Sequence, residues 1–260
     1  MLYKEKMNLV ISLLVNLVNN PKINVVDRHI AIYLINNYKT VNMDTITILA
    51  KSLQVSISQL SRFVKNIGFS SYGEFKDAIS YHGDTKRHSD LQHGLVDIDD
   101  YQRLVTEEIN YFYSNFDSSK LSNLIDDLYK TNDVALFGLL NSNNAAKELQ
   151  YNLMRLNKIC ISYDNLMAQL NYLKNAKKDT LVIIFSLSGQ YVLDNDYSRY
   201  YKVISYLKNT KAKTYLLTKN SETINLDYLD EIIIIPTKNN LPNYTWQCIC
   251  DLIFLMYQKR

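Results

Sequence analysis

Apolar residues recur at helical spacing from Leu9 to the neighbourhood of Tyr81, and no strand-like alternation interrupts them. Asn24 is placed to cap a helix whose inner face carries Val26, Ile30, Leu34 and Ile35. The rhythm fails between Tyr81 and Asp99, where His82 to Asp90 are polar, include Gly83 and offer no face to bury. Helical spacing returns near 100–115 and 119–130, and the pattern then changes to five short apolar runs: Val134–Phe137, Ile159–Ser162, Leu181–Phe185, Thr214–Leu217 and Ile232–Ile235. Amphipathic segments of helix length separate them. Parallel strands need such long crossovers, and near-continuous apolar strands suit a sheet covered on both faces. The pattern predicts an α/β chain with an all-α N-terminal domain over 1–81, a linker over 82–98, and a five-stranded parallel sheet flanked by helices over 99–260.

Composition leaves that picture intact. With 47% hydrophobic and 21% charged residues, the chain of 260 has ordinary globular balance and room for two domains. Its net charge of +3 is unevenly placed: residues 1–83 hold nine Lys/Arg against five Asp/Glu (+4), and 84–260 hold twenty against twenty-one (−1). A basic front end fits a polyanionic partner only in company with a motif. Three cysteines, Cys160, Cys248 and Cys250, are too few for a disulfide framework and fit a reducing cytoplasm, the expected location. Cys248 and Cys250, two apart in a predicted helix, point about 200° apart and cannot share one metal from that element, so core packing is expected. No apolar run approaches the ~20 residues that span a bilayer, so neither membrane insertion nor export is expected.

The stretch Asp44 to Phe69 reads as two short helices joined by a tight turn. Ile46, Leu49 and Ala50 supply the inner face of the first, and the small Ala50 admits a close crossing. Val55 fills the turn, Ser56 can cap the second helix, and Leu60, Phe63 and Val64 bury it. The opposite face carries Ser58, Gln59, Ser61, Arg62 and Lys65, which are short polar groups near the start and cations further along. A recognition helix needs that order, with its first turn at base edges and Arg or Lys on phosphate or guanine. Thr45, just ahead of the first helix, joins the DNA-facing candidates. Leu49-Ala50, Val55-Ser56, Ser61-Arg62-Phe63 and Gly68-Phe69, followed by Tyr72, Glu74, Phe75 and Lys76, resemble the N-terminal domain of RpiR-type (MurR-type) regulators. The resemblance implies DNA-facing or supporting roles for Ser56, Ser61 and Arg62. Three positions depart from the family's pattern: Gln54 stands where a small residue or glycine is usual, and Ser58-Gln59 where Ala-Thr is customary.

Two loops in the second half follow predicted strands and carry serines: Gly138 to Asn144, opening a helix through Ala146, Leu149 and Leu153, and Ser186-Leu187-Ser188-Gly189-Gln190-Tyr191. Ligands of open parallel sheets collect at the carboxyl ends of strands, where helix-start N–H groups favour an anion and hydroxyls add neutral donors. Phosphate is the expected ligand, with Ser142, Asn143, Ser186, Ser188 and Gln190 as candidates. These loops resemble the two phosphosugar loops of the sugar isomerase (SIS) fold, which in RpiR-type regulators follows the same helix-turn-helix. The resemblance implies that Ser142, Ser186 and Ser188 hold a phosphorylated sugar. Leu140 replaces a glycine often found in the first loop, and Gln190-Tyr191 replace a Glu-Thr pair, removing one phosphate donor and adding bulk.

The same fold hosts aldose-ketose isomerases, which need a general base and often a histidine. All four histidines, His29, His82, His88 and His93, precede residue 99, so catalysis is poorly served. A hydrolase elbow wants glycine two residues before the nucleophile, where Ser186 stands before Ser188. The expectation is a non-enzymatic regulator of carbohydrate genes without a cofactor or metal. It would bind a palindromic operator as a homodimer or tetramer and respond to a phosphosugar. A sensor or interaction protein with a degenerate pocket, or an isomerase, are the competing readings.

Overall fold

A computed structural model describes residues 6–41, 44–79, 97–194, 196–239 and 241–260. The chain divides into two compact units, Met1–Leu95 and Val96–Arg260. Residues 82–96 of the expected linker lie outside the described residues. Its last two, Asp97 and Ile98, are the N-cap and the first residue of a helix, with the Asp97 carboxylate accepting from the Asp100 N–H at 2.7 Å.

The first unit is all helix where described: α1 (Lys6–Asn19), α2 (Val25–Val41), α3 (Ile46–Ser52), α4 (Ile57–Asn66) and α5 (Tyr72–Ile79). Asn24 caps α2 as expected, its Oδ1 accepting from the Asp27 N–H at 2.8 Å. Val10 and Leu14 of α1, Ile30, Ala31 and Leu34 of α2, Leu49, Ala50 and Leu53 around α3, Leu60, Phe63 and Val64 of α4, and Phe75 and Ile79 of α5 close one core. The α3–α4 turn depends on Gln54 in the left-handed region (φ 55°), which lets the Val55 N–H reach back to the Ala50 carbonyl at 3.0 Å.

The second unit begins with α6 (Ile98–Asn115), a 3-10 turn (Ser118–Leu121) and α7 (Ser122–Lys130). The sheet follows as β1 (Asp133–Gly138), α8 (Asn141–Met154), α9 (Leu166–Asn175), β2 (Thr180–Phe185), α10 (Asp196–Tyr201), α11 (Val203–Asn209), β3 (Lys213–Thr218), β4 (Glu231–Ile234) and α12 (Pro242–Gln258). The strands are parallel in the order β1-β2-β3-β4. Alternate strand residues serve opposite layers. Val134, Leu136, Leu181, Ile183, Phe185, Tyr215 and Leu217 pack with α6, α7, α8 and α12, while Ala135, Phe137, Val182, Ile184 and Leu216 pack with α9 and α11.

Four strands are formed among the described residues, not the expected five. The run Ile159–Ser162 makes only an isolated parallel bridge, Ile161 to Ala135 along the other edge of β1, through Leu136 N–H to Ile161 O and Ile161 N–H to Val134 O, both 2.8 Å. The segment is too short to pair further. Asn157 in the left-handed region (φ 60°) ends α8 just before it, and the Tyr163 carbonyl just after it accepts from the Gln169 side chain rather than from β1. Ile159, which made the run look like a strand, is 71% exposed.

Candidate functional site

In the first unit, the candidate surface is built on α4. Ser56 and Gln59 form a capping box: the Gln59 N–H donates to Ser56 Oγ at 3.1 Å and the Ser56 N–H to Gln59 Oε1 at 2.9 Å. Thr45 is a simple N-cap for α3, its Oγ1 accepting from the Ile48 N–H at 3.3 Å. Three of the seven DNA-facing candidates therefore also hold helix starts. Ser58, Arg62 and Lys65 are exposed and Ser61 is half-buried. With Ile57 and Asn66 they line an open depression of about 560 Å³ along the helix. The sequence reading missed those last two residues, although helical spacing could have found them: Ile57, Ser61 and Lys65 form one i, i+4, i+8 row, and Ser58, Arg62 and Asn66 the next.

In the second unit, the candidate site lies where the chain reverses direction across the sheet. From β1 the chain crosses to Ile161 on one edge and then returns to β2 on the other, which makes the carboxyl ends of β1 and β2 a topological switch point. Gly138, the last residue of β1, is in register with Phe185, the last of β2, so the two serine loops leave adjacent strand ends. The first loop is tight. A Cβ on Gly138 would stand 2.7 Å from the Ser142 carbonyl carbon and oxygen and 2.9 Å from the Asn143 nitrogen, so the first turn of α8 rests directly on this glycine. Leu140 takes φ 57°, ψ −129°, a conformation suited to glycine, and leaves α8 without a side-chain cap. Ser142 is half-buried. Asn143 is buried and turned away to Asp164, its Nδ2 donating to Oδ1 at 2.6 Å, while Lys147 forms an ion pair with the same carboxylate.

The second loop is a run of turns rather than a helix start. Ser186 is buried, and its Oγ accepts from the Tyr191 N–H at 3.1 Å. Gly189, at φ 78°, bends the chain against Asn220 and Thr223, where a Cβ would meet the Thr223 methyl at 2.8 Å. Ser188 and Gln190 are half-buried. The bulk of Tyr191 goes into the core beside Val182 and Ile184, not into the loop, and burial raises its phenol pKa.

Residues that the sequence reading did not single out hold the two loops. Gln169, wholly buried on α9, donates from Nε2 to Gly138 O at 2.8 Å and to Tyr163 O at 2.6 Å, tying the end of β1 to the edge segment. Thr218, at the end of β3, donates to Leu187 O at 3.1 Å, and Asn220 donates to Ser188 O at 3.0 Å. A glutamine set between the leucines of α9 was the available signal for Gln169; Thr218 and Asn220 gave none, because only the β2–β3 pairing brings them close. Among the described residues no cluster of His, Cys, Asp and Glu could hold a metal, and no helix is long and apolar enough to cross a membrane. The three cysteines are buried, and burial pushes the Cys160 thiol up to about 12 and raises that of Cys250.

The chain matches two family profiles, the helix-turn-helix domain of the rpiR family over residues 14–84 and the SIS domain over 127–256. An uncharacterized HTH-type transcriptional regulator in the aarA 3′ region of Providencia stuartii is 26% identical over 150 residues, 54% of this chain and 52% of that one. The chain spans about half the length of the curated relatives it matches. Among solved structures, the NanR protein of Vibrio vulnificus, complexed with ManNAc-6P, is 18% identical with a TM-score of 0.53, covering 95% of this chain and 91% of that one. The Escherichia coli CFT073 protein c3406 is 18% identical with a TM-score of 0.51 over 66% of this chain and 91% of that one. At these identities the likeness is one of fold. With the SIS match covering half of the chain and the rpiR match ahead of it, this chain belongs to the SIS-domain family in its RpiR-type form, a helix-turn-helix unit followed by a sugar isomerase fold.

Proposed function

We propose that the chain is a transcription regulator whose first unit binds duplex DNA through α4 and whose second unit binds a phosphorylated sugar that alters this binding. The observation that carries the reading is the union, in one chain, of an exposed polar and cationic helix face with a sheet edge at which two hydroxyl-bearing loops leave adjacent strand ends. On the DNA side, Ser58, Ser61, Arg62 and Lys65 make the contacts, while Thr45, Ser56 and Gln59 hold the helix starts and lend their remaining polar atoms. On the sugar side, the uncapped first turn of α8 and the hydroxyls of Ser142 and Ser188 receive the phosphate. Ser186 and Asn143 shape the loops from behind, and Gln190 lies at the rim.

The NanR protein, solved with ManNAc-6P, supports a phosphosugar as the effector class. The protein senses rather than turns over its sugar, works in the cytoplasm, and binds a two-fold operator as a homodimer or tetramer, because one such module rarely holds DNA tightly. Genome-wide mapping of bound DNA with and without candidate sugar phosphates tests this directly. Discrete sites that change occupancy with one sugar are expected, along with loss of binding in the Arg62→Ala, Lys65→Ala double variant. Unchanged DNA affinity in that variant would remove α4 from the reading, and turnover of a hexose phosphate by the purified protein would move the second unit to the isomerases.

A further inference from the structure

Ile57 is the one apolar side chain among those that line the depression on α4. It is the first residue of α4, 47% exposed, and stands outside the apolar core that Leu60, Phe63 and Val64 complete. Every other residue lining the depression on α4 is polar: Ser58, Ser61, Arg62, Lys65 and Asn66. A β-branched residue gains nothing as a helix former at this position, and the cap is already supplied by Ser56 and Gln59. Its exposed branched surface, ringed by these polar groups, is shaped to meet a small apolar feature set among hydrogen-bonding groups.

The major groove offers one such feature. Of the four bases only thymine presents a methyl group there, and side chains read it by apolar contact, while the first residues of a recognition helix are those that reach base edges. We propose that Ile57 determines operator specificity by packing against the C5-methyl of a thymine, one in each half-site. Ser58 and Ser61 flank it with short side chains that keep the helix close to the base edges, and Arg62 and Lys65 lie further along the same face. The inference rests on the reading of α4 as the recognition helix.

Deoxyuridine lacks only that methyl, so it isolates the contact. The full-length protein would be used to select its preferred duplex from a random library, and each thymine of one half-site would then be replaced singly by deoxyuridine. The wild type is expected to lose about fourfold in affinity at one position, the worth of one buried methyl-sized group. Ile57→Ala should be indifferent to the methyl at that position alone, and Ile57→Val should keep the discrimination. Ile57 packs in no core, so folding of each variant is checked by its melting curve. The assignment is overturned if no thymine position responds in the wild type, or if Ile57→Ala still loses affinity at the responsive one. Failure of the selection to enrich any duplex would sink the recognition-helix reading itself, whereas salt-sensitive binding of an enriched duplex without a deoxyuridine effect would sink the Ile57 contact alone.

Discussion

Single residues decide how well the proposed sugar-binding loop after β1 is built. Gly138 and Leu140 stand two apart in it and pull in opposite directions. Gly138 has no room for a Cβ, since the nearest atoms belong to the α8 backbone at 2.7 Å and cannot swing aside. Gly138→Ala should cost on the order of 2 kcal/mol through forced backbone movement, and it should abolish any thermal shift with a sugar phosphate. Leu140 is the reverse case, a branched side chain at φ 57°, ψ −129°, where glycine alone is comfortable. Relief of that strain, less the entropy that glycine loses on folding, predicts a gain of about 1 kcal/mol for Leu140→Gly. The sheet unit's melting midpoint should rise by about 2–4 °C, and a fall would mean that the loop relies on the leucine side chain. The sequence marked both positions, one because glycine was present and the other because it was missing. What could not be read there was that Asn143 turns back to Asp164 and that Ser186 spends its oxygen on the Tyr191 N–H, since both depend on where the loops finally lie.

At the scale of elements, periodicity carried the reading as far as local pattern allows. Helix α4 was legible because Leu60, Phe63 and Val64 recur at helical spacing after a serine cap, and β1, β2 and β3 because their apolar runs are bounded by turn residues. The run at 159–162 has the same local look, but its hydrogen bonds are set by its surroundings, and only Ile161 pairs. Nothing local announced the clamp between α6 and the start of α12. Glu108 of α6 is wholly buried and accepts from Thr237 Oγ1, the Lys238 N–H at 3.2 Å, the Asn239 N–H and Thr245 Oγ1 at 2.8 Å. Removing this carboxylate would leave four donors without their acceptor, the Thr245 hydroxyl among them wholly buried, so Glu108→Ala is expected to destabilise the second unit by about 3 kcal/mol, with Glu108→Gln between it and the wild type. Urea unfolding followed through the single Trp246, which packs on Phe185 in the same core, reads the effect. A midpoint unchanged in Glu108→Ala would mean that water or a neighbouring group serves those donors.

For the molecule as a whole, acids kept neutral by burial set its tolerance of base. Burial pushes the thiol of Cys160 up to about 12 from 9.0, and burial with the nearby Asp44 pushes the phenol of Tyr72 up to about 12 from 10.0. Their folded values lie above the unfolded ones, so the stability linked to them is complete below about pH 9 and is lost as pH climbs towards 12. Urea midpoints should be level from pH 7 to 8.5 and fall above about 9, in both units, because Tyr72 belongs to the first and Cys160 to the second. The halves differ in hydrophobic period, helical throughout in the first and mixed with strand runs in the second, and the chain divides into two compact units between which a signal would have to pass. If a phosphosugar changes operator affinity by some factor, the operator must change sugar affinity by the same factor, since both describe one coupling free energy. Operator titrations with and without saturating sugar, and sugar titrations with and without saturating operator, should give matching ratios of roughly 5–150. Ser188→Ala should weaken sugar binding, and so demand more sugar for the same shift, while leaving sugar-free operator affinity unchanged. Ratios of one in both directions would leave two competent units with no conversation between them, and the chain would bind sugar and DNA independently.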